Sequence, residues 1–365
     1  MRSPAVRLGM PLIALLFVGC SITDPAPVTS TQAAESPPGE TEIAGSVAPG
    51  SSTASPRRTL VVDTDVAADD LVALAFLVAA PQVNLVGITV SGTGEAHCQA
   101  GVDVVLRLLD RLEAPDIPVA CGRETPLAGS HTFPDAWREH VDQGSGLAFQ
   151  PTARRPFDST AVELLTQLAS DHPRLMILTL GPLTNLADAL LGDPDLGTRL
   201  GPVFVMGGAL HVPGNLVCCG APEDNAVAEW NIYVDPHAAQ VVVANGVEPS
   251  FVSLDGTNQV PVTPEFASRA IETATTPAAR ILAELFAANP FMTEGSYFLW
   301  DPLAAELAAG YPVGSFSPAT IVVEEAEGPE SGFTRPTSGP PNIRYLATAD
   351  PAAAEDTLLR ILGGG

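Results

Sequence analysis

Leu60-Val61-Val62-Asp63-Thr64-Asp65-Val66-Ala67-Ala68-Asp69-Asp70 is the stretch whose reading decides the fold. Three apolar, mostly β-branched residues read as the end of a buried strand. Four carboxylates follow within eight positions, and Leu71 to Phe76 continue with helical character. Carboxylates at the hand-over from strand to helix sit where open α/β sheets bind ligands, at the C-terminal ends of the strands. So many negative charges stay ionised at close quarters only beside a cation, and otherwise retain protons. The stretch therefore predicts a site for a hard metal ion.

Outward from it, strand and helix patterns alternate, the signature of an α/β domain with a mainly parallel, doubly wound sheet. Strands are predicted over 60–62, 84–90, 117–120, 175–180, 203–206, 250–254, 319–323 and 343–347. Helices are predicted over 69–79, 98–112, 160–170, 265–288 with a break at Pro277, 301–308 and 352–362. A long polar connection over 122–158 reads as a functional loop or lid, and 209–228 as a second long loop, carrying Asn215, Cys218 and Cys219. Asp235-Pro236 and Asp301-Pro302 both have the form of a capped helix start, with proline in the first turn.

A chain of 365 residues has ample material for one large core, and its formal charge of −25 argues against nucleic acid bound through a basic face. The sequence contains no lysine, which excludes Schiff-base chemistry and the ordinary phosphate loop with its lysine. At the N-terminus, Arg2 and Arg7 flank an apolar run over 8–18, too short for a comfortable membrane span, that ends in Phe17-Val18-Gly19-Cys20. That ending is similar to the lipobox of bacterial lipoproteins. Residues 1–20 are thus expected to be a lipoprotein-type signal peptide, with Cys20 lipidated and the protein exported and anchored to the outer face of the cell membrane. Residues 21–58, rich in Ser, Thr, Pro, Ala and Gly, read as a disordered tether, and 59–365 as a single folded domain. Cys98, Cys121, Cys218 and Cys219 allow three pairings; Cys98 with Cys121 is one plausible bridge. No zinc spacing is present.

Five segments, the opening one among them, give the chain its resemblance. Asp63-Thr64-Asp65 with Asp69-Asp70 is followed in order by Gly181-Pro182-Leu183-Thr184-Asn185-Leu186 and Val205-Met206-Gly207-Gly208-Ala209. Ala228-Glu229-Trp230-Asn231-Ile232-Tyr233-Val234-Asp235-Pro236 and Asp301-Pro302-Leu303-Ala304 complete the set. Together they resemble the inosine-uridine-preferring nucleoside hydrolase family. The resemblance implies hydrolysis of the N-glycosidic bond of ribonucleosides with one bound Ca²⁺, and a dimer or tetramer. By position it implies Asp65, Asp70 and Asp301 as side-chain metal ligands, with the backbone carbonyl of Leu180. Asp65 would also orient and deprotonate the attacking water, while Asp69, Asn215, Glu229 and Asn231 would face the ribose. Oxygen-only ligands suit calcium, and carboxylates near the ring suit an oxocarbenium-like transition state. Met206 is either core or a neighbour of the sugar. Asp63 is expected to brace the site, Asn185 to hold its own turn, and Trp230 to pack beside the site. Glu229 and Asn231, two apart, would share a face in extended chain.

The departures from the family pattern lie at the base end. Trp300 stands where many members carry a histidine that protonates the leaving base. Tryptophan is no acid near neutral pH but stacks on heterocycles. Thr93 replaces the asparagine of the usual Gly-Asn, with Glu95 and His97 close behind. The usual His-Gly pair falls near Asp142, with His140 two residues away. Two other functions compete with a hydrolase. One is an envelope lipoprotein that binds nucleosides without catalysis. The other is an aspartyl-nucleophile phosphatase, disfavoured because that chemistry normally uses a lysine.

Overall fold

The computed structural model describes residues 57–217 and 224–365. The expectations for Cys20, for most of the tether and for Cys218 and Cys219 lie outside those residues. Eight strands form one sheet, in the order β3-β2-β1-β4-β5-β6-β10-β7. In chain order they begin with β1 (Arg58–Thr64), β2 (Val83–Val90), β3 (Val119–Cys121), β4 (Met176–Thr179), β5 (Val203–Met206) and β6 (Ser250–Val252). β7 (Gly314–Ala319) and β10 (Ile343–Ala349) complete the sheet, while β8 (Ile321–Val323) and β9 (Thr334–Pro336) form a separate antiparallel pair. All neighbours in the main sheet are parallel except β10 with β7. The order reverses between β1 and β4, which places a ligand crevice beyond the C-terminal ends of those two strands.

Helices follow the strands: α1 (Ala68–Ala79), α2 (Cys98–Arg111), α3 (Asp135–Asp142), α4 (Ala161–Asp171), α5 (Thr184–Gly192), α6 (Leu196–Arg199) and α7 (Trp230–Val234). Then come α8 (Pro236–Ala244), α9 (Leu254–Thr257), α10 (Pro264–Glu272), α11 (Pro277–Ala288), α12 (Trp300–Ala309) and α13 (Pro351–Leu362). The apolar residues divide into two large clusters, one per face of the sheet. The first joins α1 and α2 to α11, α12 and α13, and the second gathers α4, α5 and α8. Helix α1 is buried from Ala68 through Leu77. Beyond Asp70 it is apolar on every side because the sheet and other helices enclose it, as is typical of an internal helix.

Several boundaries have visible local causes. Thr160 and Glu163 form a reciprocal capping box that starts α4. Pro277 opens α11 behind the Thr276 cap, so the long helical stretch divides in two there. The strand predicted over 319–323 is likewise two strands in different sheets. The chain changes partner at Thr320, whose hydroxyl donates to the carbonyls of Gly339 and Pro340. Cys98 and Cys121 are joined by a disulfide with Cα atoms 5.5 Å apart. It ties the start of α2 to the end of β3.

Candidate active site

Asp63 and Asp65 emerge at the end of β1, and the chain must turn sharply there to enter α1. Val66 makes the turn with φ +69°, a left-handed conformation that a β-branched residue adopts only under constraint, at a cost of about 1–3 kcal/mol. Thr64 stabilises the turn: its hydroxyl accepts from the Val66 N–H at 3.1 Å and donates to Asp70 Oδ1. Asp70 Oδ1 also accepts from the Asp65 N–H at 3.2 Å. Two glycines close on Asp65 from neighbouring strands. A Cβ on Gly94 would come within 2.1 Å of Asp65 Cβ, and one on Gly181 within 2.7 Å. The glycine of the Gly181-Pro182 segment is therefore a requirement of close approach.

The carboxylates of Asp69, Asp70 and Asp301 each offer an oxygen within 4.8 Å of the others. Asp70 is the hub, in reach of both Asp301 and Asp65, and the backbone of Asp301 donates to Asp69. Burial and the neighbouring Asp70 charge raise Asp65 and Asp301 well above the ordinary carboxylate range. The same causes bring Asp69 to about 7. Burial and the charges of Asp69 and Asp70 hold Glu95 at about 8. Asp70 Oδ2 is buried without a hydrogen-bond partner. A well of oxygen donors that cannot all ionise alone, one of them unpartnered, fits a hard divalent cation.

Asp69 thus lies beside Asp70 and Asp301, close to the carboxylate of Asp65, which the resemblance places with those two on the metal. Asp69 and Asp70 are adjacent in the first turn of α1, and both meet the first turn of α12. Asp65 stands next to them, its Oδ2 accepting from the Glu95 N–H at 3.1 Å. The Leu180 carbonyl accepts from Asn231 Nδ2 at 2.7 Å, and that same amide reaches the Met206 carbonyl at 3.2 Å and its sulfur at 3.5 Å. Asn231 thus ties the ends of β4 and β5 together.

Other expectations change in detail. Glu229 has extended backbone but Asn231 lies in α7, so the two do not share a strand face: Glu229 is the N-cap of α7, its carboxylate accepting from the N–H groups of Asn231, Ile232 and Gly208. Burial raises it to about 7 against those hydrogen bonds. Asn215 Oδ1 accepts from the Trp230 N–H at 3.1 Å. Asn185 does more than hold its turn, donating to Asp63 Oδ1 at 2.7 Å and to the Val90 carbonyl. Thr89 also donates to Asp63, which braces the site from behind and is raised by burial to about 7. Asp235 caps α8 through the Ala238 N–H, as its Asp-Pro form predicts. Asp301 is not a cap, because α12 starts one residue earlier at Trp300.

At the base end, Trp300 is half-buried and stands edge-on to Tyr297, with ring centroids 4.6 Å apart. The Tyr297 hydroxyl donates to Asp69 Oδ1 at 2.8 Å, a contact that sequence reasoning missed. Tyr297 lies in an irregular segment with no periodicity to mark it. The nearby histidines are engaged elsewhere: His97 with Asp142, and His140 with Asn289. Trp230 packs against Phe133 and Trp137.

The fold and site together define a doubly wound α/β protein with a carboxylate well at its switch point. A family model for inosine-uridine preferring nucleoside hydrolases matches residues 60–356, and the chain belongs to that family. The pyrimidine-specific ribonucleoside hydrolase RihA of Salmonella enteritidis is 33% identical over 205 residues, which are 56% of this chain and 62% of the relative. A probable uridine nucleosidase of Oryza sativa is 33% identical over 211 residues, 57% of this chain and again 62% of the relative. The matches thus span about 62% of the length of these curated relatives. A purine-preferring ribonucleoside hydrolase from Gardnerella vaginalis superposes with a TM-score of 0.72 at 25% identity, covering 84% of this chain and 98% of that one.

Proposed function

We propose that this protein hydrolyses the N-glycosidic bond of ribonucleosides to free base and ribose, with a Ca²⁺ held in the carboxylate well. The observation that carries the reading is the convergence of Asp65, Asp69, Asp70 and Asp301, all buried, at the switch point of the sheet. Asp65, Asp69, Asp70 and Asp301, with the Leu180 carbonyl alongside, would supply the oxygen ligands that calcium takes. Bound there, the ion would offset the clustered charge and make a nearby water more acidic. Asp65 takes the proton of the water that attacks C1′ as the bond to the base breaks. Carboxylates around the sugar stabilise the positive charge that develops on the ring. The departing base gains one proton, and with no histidine before Asp301 that proton comes from water or another group. Trp300 assists by stacking on the base. Members of this fold named for purines and for pyrimidines both resemble the chain, so the choice of base belongs to the residues around Trp300.

Export with a lipid anchor at Cys20 belongs to the same reading, supported by the lipobox and by a disulfide of the kind that persists in oxidising compartments. The test of function is ribose release from a panel of purine and pyrimidine nucleosides, with and without a calcium chelator. Release that the chelator abolishes supports the proposal. Calcium-dependent nucleoside binding without ribose from any nucleoside would replace it with a binding protein.

A further inference from the structure

Arg138, on α3, is a buried cation with 6% of its surface exposed. Among the described residues no carboxylate pairs with it. Its Nη2 donates to the carbonyls of Gly92 at 2.8 Å and Ala96 at 3.2 Å, and its Nη1 to the Thr132 hydroxyl at 3.3 Å. A guanidinium removed from water without a counter-charge is costly, so its acceptors indicate what it is for. The two carbonyls are the two ends of one five-residue turn. The interior of that turn encloses Asp65: Gly94 packs on its Cβ, the Glu95 N–H donates to its Oδ2 at 3.1 Å, and the Ala96 N–H donates to its backbone carbonyl at 2.9 Å. A second tie from α3 holds the same turn one residue further on, where the Asp142 carboxylate meets both the backbone N–H and Nδ1 of His97, at 2.8 and 2.7 Å.

We propose that Arg138 is a positioning residue for Asp65, clamping both ends of the turn over residues 92–96 so that the Glu95 N–H holds the Asp65 carboxylate in one orientation. The proposal rests on the hydrolase reading for its kinetic consequence but not for its structural one. Nη2 alone donates to both carbonyls while Nη1 of the same rigid plane donates to Thr132, so the guanidinium is fixed in orientation in a way that the flexible point charge of lysine is not. Without the clamp the turn relaxes away from β1, and Asp65 loses its orientation while the groups around sugar and base stay in place.

Arg138→Met and Arg138→Lys, made in the full chain, test this by kinetics and by amide hydrogen exchange. Arg138→Met is expected to lower kcat for ribose release by about 10–100-fold, as misplacement near 1 Å does, with KM nearly unchanged. Arg138→Lys should recover part of that loss. The Glu95 and Ala96 amides should exchange about tenfold faster in Arg138→Met while the core strands keep their protection. If Arg138→Met does not fold, Asp142→Ala cuts the second tie at a partly exposed position and should shift exchange and kcat in the same direction, by less. Unchanged exchange at Glu95 and Ala96 in a folded variant overturns the clamp, and so does an unchanged kcat. Absence of ribose from the wild-type chain overturns the hydrolase reading instead and leaves the exchange measurement to decide the clamp.

Discussion

On the floor of the site, Asp65, Asp69, Asp70 and Asp301 stand at the end of β1 and in the first turns of α1 and α12, among buried neighbours. Along the rim, Trp137, Arg138, Tyr297 and Trp300 belong to or border two connections, one between β3 and α4 and one between α11 and α12. The floor is held by sheet and helix. The rim is held largely by single side chains. Asn289, buried at the end of α11, donates to the Ser145 carbonyl at 2.9 Å and meets His140 Nε2 at 2.9 Å, joining the two connections to each other. A charged well needs fixed geometry to bind an ion and orient water, and regular structure supplies it. A rim built on loops can vary in shape without disturbing the core.

The contrast is broken most severely at the floor. Asp65→Asn is expected to lower ribose release by about 10²–10⁴-fold, the range of a lost general base, while the far-ultraviolet spectrum is unchanged. Release at the wild-type rate would refute its role. Asp301→Asn should abolish the response to calcium. If the well binds calcium, the ion at 100 times its dissociation constant should stabilise the wild type by about 2.7 kcal/mol, and denaturation with and without calcium should show no such gain in the variant.

The floor also has a pH signature. In the folded chain without metal, Asp63 and Asp69 keep their protons to about pH 7, and Glu95 to about pH 8. Unfolded, the same groups lose them near pH 4, at roughly the ordinary carboxylate values. Between these limits the folded state binds more protons, so its stability is greatest at the acid end and falls as pH rises from about 4 to about 8. Urea denaturation in the presence of a chelator measures this, and a stability that rises across the window would contradict the buried, mutually repelling cluster. Calcium should flatten the slope.

At the rim the effects are smaller and selective. Trp300→Ala should raise KM for purine nucleosides by roughly 3–10-fold, the 0.5–1.5 kcal/mol of an aromatic stack, and for pyrimidines by less. Equal changes for both would remove Trp300 from base selection.

Much of the floor was legible in the sequence because its determinants are local. A β-branched run ending in Asp63-Thr64-Asp65, followed by an apolar helical pattern, places carboxylates at a strand end whatever the rest of the chain does. The capping signals at Thr160, Asp235 and Thr276 were equally readable, since a cap acts within one turn. The tertiary structure alone decided which acids gather. Asp69 joins Asp70 and Asp301 because the first turns of α1 and α12 face each other across the well. Tyr297 donates to Asp69 from 228 positions away, and Asn185 reaches Asp63 from 122. Glu229 caps α7 and Asn231 already lies inside that helix, where extended chain was expected through both. Hydrophobic period and capping chemistry operate over a few residues, so the sequence by itself determined most strands and helices and the run of acids at the end of β1, while Asp301 was marked only by the family resemblance. Distances between elements depend on packing of the whole domain, so the composition of the carboxylate trio and the support of its rim were decided only by the tertiary fold.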